Sequence, residues 1–354
     1  MTKYAAFIVV FIASLLPNAA LALIGEPAPP LNVKEWVVGG PVDLKANTNI
    51  VVVEIWQTSI TSARRSIAVF NAIQKHFQTN HVVVVGVCDE SPEALRNYIQ
   101  TEATNVAYVL AADDQHKTSL AYMNLVEQRR VPYVFVVGTN GLVLWHGSSP
   151  QFLTEILEQV ADGKYDLERA KKVEIAGHQL QQYLGLVGRG DGRARAAGHV
   201  LLASRTNDAA LLCDLAIGIA TAEQGKRDFI LASAALSQAE KLATTNVDRV
   251  AFTRAVVLFE TGHTNEALTQ ATQALALAKS PRDKKAIETG IHTMQARMAA
   301  ANSGAIKRKQ QQEQALTRPL LPTTAGTPAE RSPEVPAQGG AAQDSDASPG
   351  TVKK

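Results

Sequence analysis

Short apolar runs alternate with helix-like patterns along residues 25–163 of the chain. The run HVVVVGV at 81–87 is apolar throughout, which is typical of a strand covered on both faces. Comparable runs predict the other strands, and helical periodicity between them predicts helices. The predicted strands lie at 51–56, 81–87, 107–110, 133–137 and 142–146, and the predicted helices at 62–78, 91–102, 116–127 and 150–162. This alternation predicts an α/β domain with a largely parallel central sheet, helices on both faces and a terminal hairpin at TNG, 139–141.

The strand-like runs stop after Gly163, and residues 164–301 are rich in Ala, Leu, Gln and Glu with apolar residues at helical spacing. An internal repeat is visible here, because small residues precede two glycines by the same interval: Gly218 before Gly225 and Ala255 before Gly262. The second copy, residues 251–281, resembles a tetratricopeptide repeat. Since such a repeat cannot bury its faces alone, helices at 167–186 and 283–300 are predicted to flank the pair. An ordinary helical bundle is the alternative.

The amino-terminal residues 1–22 have the pattern of a secretory signal peptide. Lys3 supplies a positive charge, Ala5 to Leu16 form an apolar run, and Ala20-Leu21-Ala22 fits a small-x-small cleavage site. A membrane anchor is the alternative, but the run is short for the roughly 30 Å of hydrocarbon that a helix must cross. The pattern therefore predicts an exported chain, periplasmic or extracellular, whose mature form starts near Leu23.

Composition and charge limit the partners. The net charge is +2 with basic and acidic residues interspersed, so no basic face indicates nucleic acid as a partner. The histidines show no metal-ligand spacing, and neither a metal nor a cofactor is predicted. Cys88 and Cys213 lie far apart, and we interpret both as small buried residues rather than a disulfide pair. Residues 302–354 are rich in Ala, Gly, Pro, Gln and Ser, which predicts a disordered tail, with KRKQQQEQ at 307–314 as a brief extension of the last helix.

The stretch VVVEIWQTSITSARRS at 51–66 predicts a buried strand ending at Trp56 and a helix beginning near Ala63. The turn between them holds no cysteine, histidine or carboxylate. Its hydroxyl side chains are predicted to cap the helix N-terminus, and they belong to Thr58, Ser59, Thr61 and Ser62. Glu54 lies within the apolar strand, where burial is costly unless the carboxyl is hydrogen-bonded. A partnered or partly exposed strand residue is the simpler interpretation of Glu54.

Four segments in this order resemble the extracytoplasmic thioredoxin-like family, meaning the TlpA-type disulfide reductases and the AhpC/TSA-type redoxins. They are GEPAPPLNV at 25–33, VVVEIWQTSITSARRS at 51–66, VVVVGVCDES at 82–91 and VPYVFVVGTNGLVLWHG at 131–147. The resemblance implies a thioredoxin-like domain over 23–163, with a central mixed sheet flanked by helices, followed by the all-α tetratricopeptide-like domain over 164–301.

The family's turn carries a Cys-x-x-Cys motif after an aromatic residue. Placing that aromatic on Trp56 puts the two cysteines on Ile60 and Ala63, which can neither attack nor resolve a disulfide. The resemblance further implies a cis-proline at Val131-Pro132 and a proton-handling carboxylate at Glu54. It therefore implies the family's substrate-facing turn without its redox chemistry.

The leading hypothesis is an exported, redox-inactive thioredoxin-fold protein that binds a peptide or protein. Its predicted binding edge comprises Trp56, Ser59, Ile60, Thr61, Ser62, Ala63, Val131 and Pro132, and the helical repeats offer a second surface. The alternative is a thiol oxidoreductase or peroxidase that uses Cys88 in a rearranged site, although a buried structural cysteine is the simpler interpretation. A third hypothesis makes the thioredoxin-like domain purely structural and leaves binding to the helices.

Overall fold

A computed structural model of the chain describes residues 23–45, 48–102, 105–148 and 150–316. The predicted signal peptide lies outside the described residues, as does the predicted tail from residue 317 onward.

Six strands form one mixed sheet in the order β1-β4-β3-β2-β5-β6. Their bounds are β1 Val33–Val38, β2 Ile50–Trp56, β3 Val82–Cys88, β4 Val109–Asp113, β5 Tyr133–Val137 and β6 Val143–Gly147. Strands β2, β3 and β4 run parallel, whereas β1, β5 and β6 pair antiparallel to their neighbours. The central sheet is therefore mixed, as the family resemblance implies, and the prediction of a largely parallel sheet is wrong.

Strand β1 is absent from the sequence prediction. It pairs with β4 at one edge of the sheet, and its sequence VKEWVV is only partly buried. Charged residues interrupt its apolar pattern, so periodicity gives no strand signal there. Pairing with β1 also carries β4 through Ala111 and Ala112 to Asp113, beyond the predicted end at residue 110, because sheet context outweighs the weak strand preference of alanine.

Helices cover both faces of the sheet. They are α1 Thr61–His76, α2 Pro92–Thr101, α3 Lys117–Leu125 and α4 Leu153–Ala161. The core on one face joins β2 to α1, α2 and α4, with Trp56, Phe70, Leu95 and Leu157 fully buried. The opposite core contains α3 through Tyr122 and also takes in Leu23. This arrangement, with the hairpin of β5 and β6 turning at Gly141, confirms the predicted thioredoxin-like fold.

The rest of the described chain is helical, which confirms the predicted all-α region. Its helices are α5 Leu167–Gly188, α6 Ala194–Ala203, α7 Ala209–Ala220, α8 Phe229–Leu242, α9 Val247–Glu260, α10 Thr264–Leu277 and α11 Pro281–Leu316. Two helix pairs, α7 with α8 and α9 with α10, each turn at a glycine with a φ of 93°, Gly225 and Gly262. Buried alanines let the paired helices approach closely, for example Ala232 and Ala267. Their identity as tetratricopeptide repeats stays a prediction.

Helix α11 continues to Leu316, so the predicted start of the tail at residue 302 is too early. The segment KRKQQQEQAL at 307–316 consists of residues with high helix propensity, which explains the extension. Within the described ranges, no helix combines the length and the apolar character needed to cross a membrane.

Candidate functional site

The turn after β2 delivers the chain to α1 through Ile60. Ile60 is the N-cap residue of α1, with φ −93° and ψ 117°, and no side chain caps this end of the helix. The prediction that hydroxyls cap α1 is therefore wrong, because the N-cap position falls on a residue without an acceptor. Thr58 instead turns toward the loop after β3, where its Oγ1 donates to Glu90 Oε2 at 2.5 Å.

Polar contacts fix the turn against the neighbouring loop. Gln57 Nε2 donates to Asp89 Oδ1 at 2.9 Å, and Arg64 Nε donates to the Thr58 carbonyl at 2.9 Å. The side chains of Ser59 and Thr61 are exposed, whereas Ile60 is partly buried against the core. Ser62 and Ala63 belong to the first turn of α1. The turn thus presents a small polar surface, and its position is fixed by these hydrogen bonds and by the packing of Ile60 against the core.

A groove lies beside this turn. The Val131-Pro132 peptide bond is cis, and these residues face α1 across an open groove of about 470 Å³. Its lining includes Arg65, Ser66, Val69, Arg130, Val131, Pro132, Tyr133 and Pro150. Of the predicted binding edge, Val131 and Pro132 line this groove. Its α1 side is formed by Arg65, Ser66 and Val69, whereas Ser59, Ile60 and Thr61 are not among its lining residues.

Trp56 does not belong to the exposed surface of that edge. Its side chain is fully buried in the core beneath the turn, so a partner cannot contact it and its prediction as a binding residue is wrong. The physical reason is the strand's burial on both faces, which leaves every side chain of β2 inside. Trp56 supports the turn by packing under it, with its ring 5.9 Å from that of Tyr98.

Glu54 is a fully buried carboxyl on β2. Ser66 Oγ donates to its Oε1 at 2.6 Å, while Oε2 has no hydrogen-bond partner among the described residues. Burial raises the pKa of Glu54 to about 8, although the Ser66 hydrogen bond lowers it in part. The group is therefore mostly protonated at neutral pH, and it is both buried and partnered at one oxygen.

Cys88 ends β3, directly beside Trp56 in the sheet register. Its thiol is fully buried, lies 3.6 Å from Glu90 Oε2 and forms no disulfide. Burial raises the pKa of Cys88 to about 12, so the thiol stays protonated where a redox nucleophile must be a thiolate. Cys213 is likewise buried and free.

A second polar cluster lies next to the groove, and sequence reasoning missed it. The Tyr133 hydroxyl is 2.9 Å from His146 Nδ1, and His146 Nε2 is 2.9 Å from Glu174 Oε1. Glu174 also accepts from the backbone amides of Leu23 and Ile24, at 3.1 Å and 2.9 Å. Burial alone would raise the pKa of Glu174, but the hydrogen bonds outweigh it and the pKa is lowered.

The cluster joins residues 23–24, the hairpin of β5 and β6, and Glu174 on α5. Because these segments are distant in sequence, no local motif predicts the cluster. The one available signal was the position of Tyr133, which directly follows the predicted cis-proline. In the described part of the chain, no group of three or more His, Cys, Asp or Glu side chains is arranged to hold a metal ion.

Residues 24–146 match the model of the AhpC/TSA family, and this part of the chain is an AhpC/TSA-type, thioredoxin-like domain. Similar solved structures include a Chlorobium tepidum protein assigned as the thiol:disulfide interchange protein DsbE, at 24% identity over 40% of this chain and 97% of that one, with a TM-score of 0.31. A thiol-disulfide isomerase from Corynebacterium glutamicum is 19% identical over 41% of this chain and 98% of its own, with a TM-score of 0.34. The reduced 2-Cys peroxiredoxin of Plasmodium vivax is 17% identical over 40% and 98%, with a TM-score of 0.36. Among curated proteins, none matches this chain.

Proposed function

We propose that this protein is an exported, non-catalytic thioredoxin-fold protein that binds an extended peptide or protein segment in the groove beside Pro132. The observation that carries the proposal is the groove itself, formed between α1 and the cis-proline segment next to a turn without cysteine. The helical domain supplies a second surface, in the manner of helical repeats.

The lining of the groove indicates the chemistry of the ligand. Arg65 and Arg130 place two guanidinium groups on it, while Val69, Pro132 and Pro150 provide apolar contacts. Such a surface suits an extended segment that carries both acidic and apolar side chains, because charge complementarity favours the acidic groups and the apolar residues favour the others.

The positions that would carry redox catalysis support the proposal of a non-catalytic protein. Ile60 and Ala63 offer no thiol, and Cys88 is a buried, protonated thiol outside the groove lining. The AhpC/TSA match favours one competing function, a thiol oxidoreductase or peroxidase that uses Cys88. Insulin reduction and peroxide consumption distinguish the two, since we expect neither activity in the purified protein. Activity that disappears in Cys88→Ser would overturn the proposal.

Binding is tested by photo-crosslinking in the exporting host. A photoreactive amino acid at Val69 is expected to crosslink a partner, and Arg130→Glu is expected to reduce that crosslink at least several-fold. Arg129→Glu is the matched control, because Arg129 is exposed beside Arg130 but does not line the groove. Equal crosslinking in the two arginine variants would contradict binding in the groove.

A further inference from the structure

A single carboxylate holds the first described residues of the chain. The amide of Leu23 donates to Glu174 Oε1 at 3.1 Å, and the amide of Ile24 donates to Oε2 at 2.9 Å. The Glu174 side chain is only 7% exposed, and both Leu23 and Ile24 are buried. Helix α5 therefore binds the start of the thioredoxin-like domain through the carboxylate of Glu174.

The other groups around this carboxylate leave its charge weakly compensated. His146 Nε2 lies 2.9 Å from Oε1 and His178 Nε2 lies 4.0 Å from it, and each carries positive charge only when protonated. Lys171 reaches over Gly25, but its Nζ pairs with Glu168 at 3.1 Å. A carboxylate with little exposure to solvent is screened weakly, so this site favours an additional positive charge.

The sequence predicts that such a positive charge arises at the backbone nitrogen of Leu23. Ala20-Leu21-Ala22, the small-x-small cleavage pattern, directly precedes Leu23. Hydrolysis of the Ala22–Leu23 peptide bond by a signal-type peptidase adds one water: Ala22 gains the carboxylate, and the Leu23 nitrogen becomes an amine that is protonated at neutral pH. The nitrogen that donates to Glu174 as an amide thus becomes an α-ammonium with three donors.

We propose that Glu174 is the receptor for the amino terminus that leader cleavage creates, and that this ion pair locks α5 onto the thioredoxin-like domain. The inference rests on the proposed export. The ammonium adds the attraction of a full positive charge to the hydrogen bond that the Leu23 amide already makes to the carboxylate, and the low exposure of the Glu174 side chain reduces screening by salt. Removal of the leader is therefore also a structural step, which strengthens the junction between the two domains.

The first test uses the full chain secreted from an exporting host. Mass spectrometry of the purified protein is expected to find Leu23 as the amino-terminal residue. An amine-reactive acetylating reagent at pH 7 should then modify the Leu23 amine about tenfold faster in Glu174→Gln than in the native chain, because loss of the paired carboxylate lowers the pKa of the amine. Glu168→Gln is the matched control, since Glu168 lies on the same helix but is exposed, and its rate should not change.

The second test compares two chains released from a removable fusion, one that starts at Leu23 and one that starts at Ala22. The Leu23 form should have the higher Tm, by about 2–4 °C, because only its ammonium reaches Glu174. In Glu174→Gln the two forms should have the same Tm, which completes a double-mutant cycle.

The outcomes separate the inference from the proposed function. Equal acetylation rates together with equal Tm values would overturn the ion pair and leave export intact. An amino terminus at another residue would overturn cleavage after Ala22. Neither result bears on binding in the groove, which the crosslinking experiment decides by itself.

Discussion

The glutamates Glu54 and Glu174 both have side chains with little exposure, but they differ in how many hydrogen bonds their carboxyl groups accept. Glu54 receives one hydrogen bond, from Ser66, and burial raises its pKa to about 8. Glu174 accepts from two backbone amides and from His146, which together outweigh the effect of burial and lower its pKa. The number of donors that the fold delivers decides which carboxyl is charged at neutral pH.

This difference in hydrogen bonding distinguishes the core around Glu54 from the region around Glu174. The core beneath the turn keeps a protonated acid next to positions that hold no thiol, together with two further buried polar atoms, Trp56 Nε1 and the Tyr108 hydroxyl, that have no partner among the described residues. The region around Glu174 supplies hydrogen bonds to both oxygens of its carboxylate. The interior of the thioredoxin-like domain thus holds a carboxyl with few hydrogen-bond donors, whereas the region around Glu174 supplies several.

The largest expected effect is the pH dependence that Glu54 imposes. Its pKa rises from 4.5 to about 8 on folding, so between these values the folded chain keeps a proton that the unfolded chain releases. The free energy of unfolding should therefore fall as the pH rises from 5 to 8, by on the order of 3 kcal/mol. Glu54→Gln removes this term, and urea unfolding of both chains at pH 5, 6, 7 and 8 measures it. Parallel profiles for the two chains would contradict the raised pKa.

Gly86 offers a way to perturb the same core sterically. A Cβ at this position would lie 2.7 Å from Leu110 Cδ2 and 2.8 Å from Trp56 Nε1. Gly86→Ala should lower the free energy of unfolding by about 1–3 kcal/mol through overpacking, as measured by urea unfolding. Gly40→Ala is the control, because nothing lies within 4 Å of its Cβ, and it should change stability by less than about 0.5 kcal/mol. Similar effects at both positions would argue against a tightly packed core.

His146→Phe should make Glu174 more like Glu54. The change removes one donor from Glu174 and the partner of the Tyr133 hydroxyl, and should cost about 1–2 kcal/mol of stability. Because the pKa of Glu174 is lowered, its stabilisation is present above pH 4.5 and is lost as the pH falls through the folded-state pKa. The variant should lose less stability than the native chain between pH 4.5 and 3, measured by thermal unfolding. His178→Gln, which alters a group 4.0 Å away, should have the smaller effect, and the reverse ranking would refute the assignment.

The smallest expected effect is a gain in stability from Gly177→Ala on α5, the helix that carries Glu174. A Cβ there meets nothing within 4 Å, so alanine should stabilise the chain by about 0.5–1 kcal/mol through its helix propensity. Gly218→Ala should give no such gain, since its Cβ would clash with Leu180 Cδ2. Urea unfolding of both variants checks the pair, and a destabilised Gly177→Ala would show that α5 is more constrained than its surroundings indicate.

The sequence predicted the parts of the fold whose signals are local. The buried run of β2 and β3, the hairpin at Gly141 and the helical periodicity after Gly163 each depend on neighbouring residues. Strand β1 and the end of β4 were missed because an edge strand with charged residues gains its structure from its partner. The helix predicted at 283–300 continues through KRKQQQEQ to Leu316, the segment whose helix propensity had suggested an extension.

The candidate site was predictable only in outline. The turn and the proline segment were identified, but sequence offered no means to see that Thr58 would bond to Glu90. Trp56 was assigned to the binding edge although the apolar strand that it ends favours burial. The Glu174 junction joins residues 28 to 151 positions apart, and no periodicity or spacing encodes such a meeting.

That separation also has a consequence in time. Leu23 is made 151 residues before Glu174, and a ribosome adding about 5–20 residues per second needs roughly 8–30 s to bridge the gap. Throughout that interval the carboxylate that later binds the Leu23 and Ile24 amides does not yet exist. During synthesis, Leu23 and Ile24 therefore wait for the helix that carries their hydrogen-bond acceptor.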